Sequence, residues 1–206
     1  MKVVVFGASG KTGSMVVEKA KAAGHDVTAF THGGDARPPV GVRVVTGDAA
    51  DDGAVRRAVA GHDAVIDTIG GTTPWKDSGL EAKTAAAIIA GMRAGGARRF
   101  IVISAMGVDE SREQASFVYG KLLMPTMMRG VVSDKGQLEQ EVDASGLDFV
   151  IARPAMLSDD AENGALKVVP APEKAHHTRR GDLAGFLVEQ LTSDTYLGQA
   201  VVVAND

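Results

Sequence analysis

Near its start the chain reads Lys2-Val-Val-Val-Phe-Gly7-Ala-Ser-Gly10-Lys-Thr-Gly13, and this stretch limits the possible folds more than any other. Val3 to Phe6 is an unbroken apolar run, as a short strand buried on both faces requires, and the apolar group Met15-Val16-Val17 just beyond the glycines opens a helix. Strand, glycine turn and helix in immediate succession form the first half of a βαβ unit. Glycines at 7, 10 and 13 let a bulky anion approach the backbone, where free N–H groups and the positive end of the helix dipole receive it. A dinucleotide diphosphate is the ligand that fits, and Gly7, Ser9, Gly10, Lys11, Thr12 and Gly13 are the residues expected to hold it. A triphosphate loop is excluded: Gly10-Lys11-Thr12 imitates its end, but the glycine required five residues earlier is Val5.

The apolar runs continue at Val27–Phe30, Val42–Val45, Asp63–Asp67, Phe100–Ile103, Phe149–Ala152 and Ala200–Val203. Helical stretches from about Asp51 to Ala60, Leu80 to Arg93 and Asp182 to Leu191 separate several of them, and Glu113–Ser145 reads as helix interrupted by Pro125 and Gly130. Repeated alternation predicts an α/β protein with a single Rossmann domain over residues 1–206: a doubly wound, mostly parallel sheet with helices on both faces. The C-terminal segments are expected to form the substrate site. Another short run, Leu166–Val169, is followed by a Pro-rich loop (Pro170, Pro172), and the adjacent His176-His177 read as loop before the last helix.

The end of the second strand is where NAD and NADP are told apart, because an acid there accepts from the ribose 2′-OH. No acid lies between Val27 and Gly34; Thr31 and His32 stand there with Arg37 beyond, which predicts NADP ahead of NAD. Asp48, in Gly47-Asp48-Ala49, either recognises the adenine amino group or caps the helix that follows.

Composition removes other classes. A formal net charge of −4, from 22 basic and 26 acidic residues, gives no positive field for nucleic acid or an anionic membrane. The absence of cysteine removes disulfides and thiolate metal sites and suits a reducing cytoplasm. The five histidines offer no metal-binding spacing, no apolar run approaches the roughly 18 residues of a membrane span, and no signal peptide is visible.

Taken together, GASGKTG at 7–13, GDA at 47–49, RFIVISAMGV at 99–108, SGLDFVIARP at 145–154 and RGDLAGFL at 180–187 make the chain similar, nearly end to end, to the atypical short-chain dehydrogenase/reductases. Within them it resembles the NmrA-like and biliverdin/flavin-reductase-like NAD(P)-binding group. The resemblance implies adenine recognition by Asp48-Ala49, a cofactor lined by Thr68, Ile69 and Gly70, Ser104 near the nicotinamide, and the Arg153-Pro154 segment bordering it. Family members that use NADP often carry arginine where this chain has His32.

Ordinary short-chain dehydrogenases use a Tyr-x-x-x-Lys pair on one helix face. Of the two tyrosines here, Tyr119 is followed four residues on by Leu123 and Tyr196 by Ala200, so the pair is missing. Candidate catalytic groups are Ser104, Lys135 and Tyr119; Lys135 alternatively forms an i,i+4 pair with Glu139 on a solvated helix. Met124, Met127 and Met128 read either as an adaptable lid or as core. The sequence therefore predicts an NAD(P)H-dependent oxidoreductase acting on a small planar acceptor such as a flavin, quinone or related carbonyl compound. The alternative is a non-catalytic redox sensor that binds NAD(P) and a protein partner.

Overall fold

The computed structural model describes residues 1–33, 38–71, 78–115 and 128–206 of the chain. Its first five strands and first three helices follow the expected order: β1 (Lys2–Phe6), α1 (Lys11–Ala22), β2 (Asp26–Thr31), β3 (Arg43–Thr46), α2 (Asp52–Val59), β4 (Ala64–Asp67), α3 (Leu80–Gly95) and β5 (Arg99–Ile103). A 3-10 helix at Asp109–Gln114 and α4 (Arg129–Asp143) lead to β6 (Asp148–Pro154). The final part holds β7 (Met156–Ser158), β8 (Lys167–Val168), β9 (His177–Arg179), α5 (Arg180–Glu189) and β10 (Gln199–Ala204).

Eight strands form one sheet in the order β3-β2-β1-β4-β5-β6-β10-β8, parallel except for β8, which runs antiparallel to β10. Alternation within each central strand supplies both faces. Val3 and Val5 of β1 pack with Val16, Leu183 and Leu187 under α1 and α5, whereas Val4 and Phe6 pack with Val55, Ile88 and Leu138 under α2, α3 and α4. All of these side chains are fully or almost fully buried, which is why the strands read as continuous apolar runs. α3 runs two residues past the expected Arg93 and stops at the glycine pair: Gly96 takes φ +81° and donates its N–H to Met92 O.

The chain winds from β1 outward to β3, then returns to place β4 on the other side of β1. Beside β1 the winding direction reverses, and in such sheets a crevice opens beyond the carboxyl ends of the strands at that point. Gly7 follows β1 there and Thr68 follows β4.

Three expectations change. His177 belongs to β9, which pairs in parallel with β7 as Met156↔His177, Leu157↔Thr178 and Ser158↔Arg179, so this region is not simple loop. Glu113 and Gln114 end a 3-10 helix rather than opening an α-helix; within the stretch expected to be helical, Arg129–Asp143 forms α4, and residues 116–127, with Pro125, lie outside the described residues. The last helix starts at Arg180, ahead of Asp182, whose carboxylate accepts from the backbone of Asn163 and Gly164 and folds that loop against the helix. Among the described residues, no helix is long and apolar enough to cross a membrane.

Candidate functional site

The glycine turn is shaped by close approach of two strands' ends. Thr68 donates its hydroxyl (2.7 Å) and its N–H (3.1 Å) to Phe6 O, drawing the end of β4 against the end of β1. Gly7 then takes φ +74°, and a Cβ on it would lie 2.8 Å from Thr68 Oγ1. Gly13 is tighter: its Cβ would fall 2.2 Å from Gly7 O. Gly10 differs, with φ −74° and only Gly7 O, 3.2 Å away, near its added Cβ. Gly7 and Gly13 thus allow the turn to close, whereas Gly10 leaves its outer side open.

Gly10 is also the N-cap of α1. It gives no side-chain hydrogen bond to the helix, and no acidic residue stands in the first turn. The contrast with α2 is direct, because there Asp51 Oδ1 accepts from Gly53 and Ala54 N–H. The α1 start therefore presents amides that need an outside acceptor, as a bound diphosphate requires.

Two hollows adjoin this turn. One, of about 380 Å³, is lined by Ser9, His32, Asp48, Ala49 and Thr84 among others; the larger, of about 620 Å³, by Thr12, Ser104, Lys135, Pro154 and Met156 among others. Gly10, Thr68, Ile69 and Gly70 line both, so the two adjoin as one site along the carboxyl edge of the sheet. Its form suits an extended dinucleotide with its two ends in the two hollows. Thr31 is buried and lies outside the lining, unlike His32, which is exposed in the smaller hollow. Asp48 is not the helix cap; its Oδ1 accepts from Ala50 N at 2.8 Å, while Asp51 caps α2. Arg37 and Tyr119 lie outside the described residues, as do Met124 and Met127; Met128 lines the larger hollow.

Beneath the larger hollow is a buried charge network that the sequence reading missed. Lys135 is 5% exposed and does not pair with Glu139 on a solvated face. Its Nζ lies 2.6 Å from Glu81 Oε2, donates to Ile103 O at 2.6 Å and approaches Ile69 O at 3.5 Å. Glu81 Oε1 in turn accepts from Gly71 N, and Asp134 accepts from the backbone N–H groups of Glu81 and Ala82 at the start of α3. One ammonium thus joins α4, α3 and the ends of β4 and β5.

Asp67 lies at the end of β4 with 1% exposure. Burial pushes its pKa up to about 6, against the opposing pull of the Ile69 N–H and the Lys135 charge, while nearby Glu81 adds to the rise. Its Oδ1 receives the Ile69 N–H, which sets the course of the strip at Ile69-Gly70. Asp67 was traceable in principle, as an acid ending the apolar run Ala64-Val65-Ile66; Glu81, two residues from Lys83 at the start of a helix, reads like an ordinary first-turn acid.

Ser104 N–H donates to Ala152 O, which fixes the backbone at the end of β5, and its buried Oγ, in the wall of the larger hollow, has no hydrogen-bond partner among the described residues. A buried hydroxyl without a partner carries a desolvation cost unless a ligand or water meets it. Pro154 faces the hollow, but Arg153 beside it is occupied elsewhere. Its guanidinium is held by Glu139 and Glu110. Burial alone would lower the Arg153 pKa; the bonds from these two carboxylates outweigh it and raise it. Glu139 is therefore the partner of Arg153, and Tyr196, the other tyrosine, packs against Phe186 with ring centroids 5.9 Å apart, away from the hollow's lining.

Known proteins share this fold. The chain is similar to the solved structure of ChuY, described as an anaerobillin reductase, from Escherichia coli O157:H7: 25% identity over all of this chain and 97% of that one, with TM-score 0.83. A short-chain dehydrogenase/reductase from Veillonella parvula, solved in complex with NADP, has the same fold at 16% identity, over 98% of this chain and 94% of that one, TM-score 0.82. So has a putative NAD-dependent epimerase/dehydratase from Bacillus halodurans, at 24% identity over 100% and 94% of the two chains, TM-score 0.81. A family model described as NAD(P)H-binding matches residues 7–194, nearly the whole groove-forming chain, and the protein accordingly belongs to that NAD(P)H-binding family, with the fold of the atypical short-chain dehydrogenase/reductases.

Proposed function

We propose that the protein is an NAD(P)H-dependent reductase that passes hydride to a small planar acceptor such as a flavin, a quinone or a related carbonyl compound. The observation that carries this reading is the pair of adjoining hollows leading from the uncapped start of α1 to the Ser104 hydroxyl, which has no hydrogen-bond partner among the described residues. Membership of the NAD(P)H-binding family and similarity to a reductase support an oxidoreductase. A bound NAD(P)H supplies the hydride.

The amides of Lys11, Thr12 and Gly13 hold the diphosphate, and Ser9, Asp48 and Ala49 hold the adenosine half. His32, with Arg37, favours the 2′-phosphate of NADP. Ile69 and Gly70 carry the cofactor across the strand ends, and Ser104 Oγ and Pro154 border the nicotinamide. The acceptor takes the remainder of the larger hollow, against the C-terminal residues Met156 and Leu157. Face-to-face holding of two planar rings supplies much of the rate by proximity.

Lys135 orients this site; its ammonium is committed to Glu81 and Ile103 O. For a flavin or quinone, the proton that completes reduction comes from solvent, since the reduced anion is stable enough to collect it after hydride transfer; a carbonyl acceptor would need a donor within hydrogen-bond reach of its oxygen. NADPH consumption measured with a panel of flavins and quinones tests the proposal, alongside binding of NADP+ and NADPH. Turnover with any acceptor supports it. Tight cofactor binding with no turnover across the panel supports instead the non-catalytic sensor, which the missing Tyr-x-x-x-Lys pair favours.

A further inference from the structure

The rim of the larger hollow carries a charge arrangement to which the proposed function gives no role: the side chains of Lys11 and Arg180 and the carboxylate between them. Lys11 opens α1 and Arg180 opens α5; the two residues, far apart in sequence, line the same hollow, and one carboxylate bridges them. Asp159 Oδ2 meets Lys11 Nζ, and its Oδ1 lies 3.0 Å from Arg180 Nη1. Two cations against one acid leave a positive charge in excess at the mouth of a protein whose net charge is −4. The other ionisable residues described in the lining, Lys135 and Glu81, pair with each other and add nothing to the balance.

The bridge is exchangeable. The side chains of Lys11 and Asp159 are 70% and 55% exposed, so their pair is solvated and weak. The segment bearing Asp159 does not depend on it: Lys19 holds Glu162, Arg179 donates to Ala161 O, and Asp182 accepts from Asn163 and Gly164. Arg180, by contrast, has a side chain only 19% exposed and offers a fixed guanidinium, suited to a carboxylate. Met156 and Leu157 provide the apolar wall beside it.

We propose that Lys11 and Arg180 form an anion subsite for the acceptor, taking a carboxylate carried on an otherwise planar, apolar molecule, with Asp159 as the internal counter-ion that this carboxylate displaces. The proposal rests on the reading of the larger hollow as the acceptor site. Cofactor phosphate is the other possible source of an anion, and the test separates the two.

The probes are 2-methyl-1,4-naphthoquinone and its 3-propanoic acid derivative, titrated calorimetrically into protein saturated with NADP+, so that binding is read without turnover. At low salt the wild type binds the acid more tightly than the neutral quinone. Asp159→Asn widens that preference by roughly fivefold, Arg180→Gln removes it, and 0.5 M salt shrinks it. The NADP+ dissociation constant moves much less than the preference in both variants. A preference unchanged in both variants, no binding of either quinone, or an NADP+ affinity that shifts by the same factor as the preference overturns the proposal; the last result assigns the cations to cofactor phosphate. If the preference behaves as stated while no member of the flavin and quinone panel supports NADPH consumption, the subsite stands and the reductase reading falls.

Discussion

Replacing Lys135 with methionine separates its structural work from any part in proton transfer. The side chains of Lys135 and Glu81 are 6% and 3% exposed, so the change leaves a carboxylate buried with Gly71 N–H as its remaining donor. Removing one partner of a buried pair costs about 3–5 kcal/mol, because the surviving charge keeps its desolvation penalty without compensation. In a chain of this length each kcal/mol lowers Tm by about 2–4 °C, so Lys135→Met is expected to melt roughly 6–20 °C below wild type. Adding Glu81→Gln removes the stranded charge while keeping an acceptor for Gly71, and the double variant is expected to recover to within about 2 kcal/mol of wild type. Urea titration and thermal melts of both variants supply the measurement. Lys135→Met within about 1 kcal/mol of wild type would refute the account of Lys135 as the tie between α3, α4 and the strand ends. The double variant then answers the chemical question: with stability and cofactor affinity restored, kcat is expected within about tenfold of wild type. A collapse of kcat there would identify the Lys135 ammonium as the acid.

Gly10→Val should fold but lose NADPH affinity by at least about tenfold, since its branched side chain enters the space left open at the α1 start, whereas Gly13→Ala should fail to fold because its Cβ would lie 2.2 Å from Gly7 O; circular dichroism and cofactor titration distinguish the two. NADPH is expected to bind more tightly than NADH, and His32→Asp should reverse or erase that order in side-by-side titrations. Asp67 gives a pH signature. Its folded pKa, about 6, lies above the ordinary 3.8, so the folded state binds this proton more tightly. That stabilisation is complete below about pH 3.8 and is lost as pH rises through about 6, a difference of up to about 3 kcal/mol. Asp67→Asn, whose amide oxygen still accepts from Ile69 N–H, should therefore be more stable than wild type at pH 7.5 and lose this part of the pH dependence in denaturation experiments.

Local pattern determined much of the architecture. The apolar runs name nearly every strand of the large sheet because a parallel sheet covered on both faces needs consecutive buried side chains, as Val3 to Phe6 show. Glycine spacing located the turn, since Gly7 and Gly13 are required by contacts within a few residues or with the adjoining strand end. β7 and β9 escaped notice because three-residue strands have no periodicity to read and depend on each other across the chain. Asp48 and Asp51 show the same limit at closer range: both suit a helix start, and only the backbone path decides that Asp51 is the cap. The charge pairing was out of reach for a stronger reason. Glu139 stands one helical turn from Lys135 and satisfies the local rule, yet it pairs with Arg153, while Lys135 finds Glu81 from another helix. Burial decides that exchange: inside the protein each charge must meet an opposite charge, and which ones meet is set by how α3, α4 and β6 pack, not by their spacing along the chain.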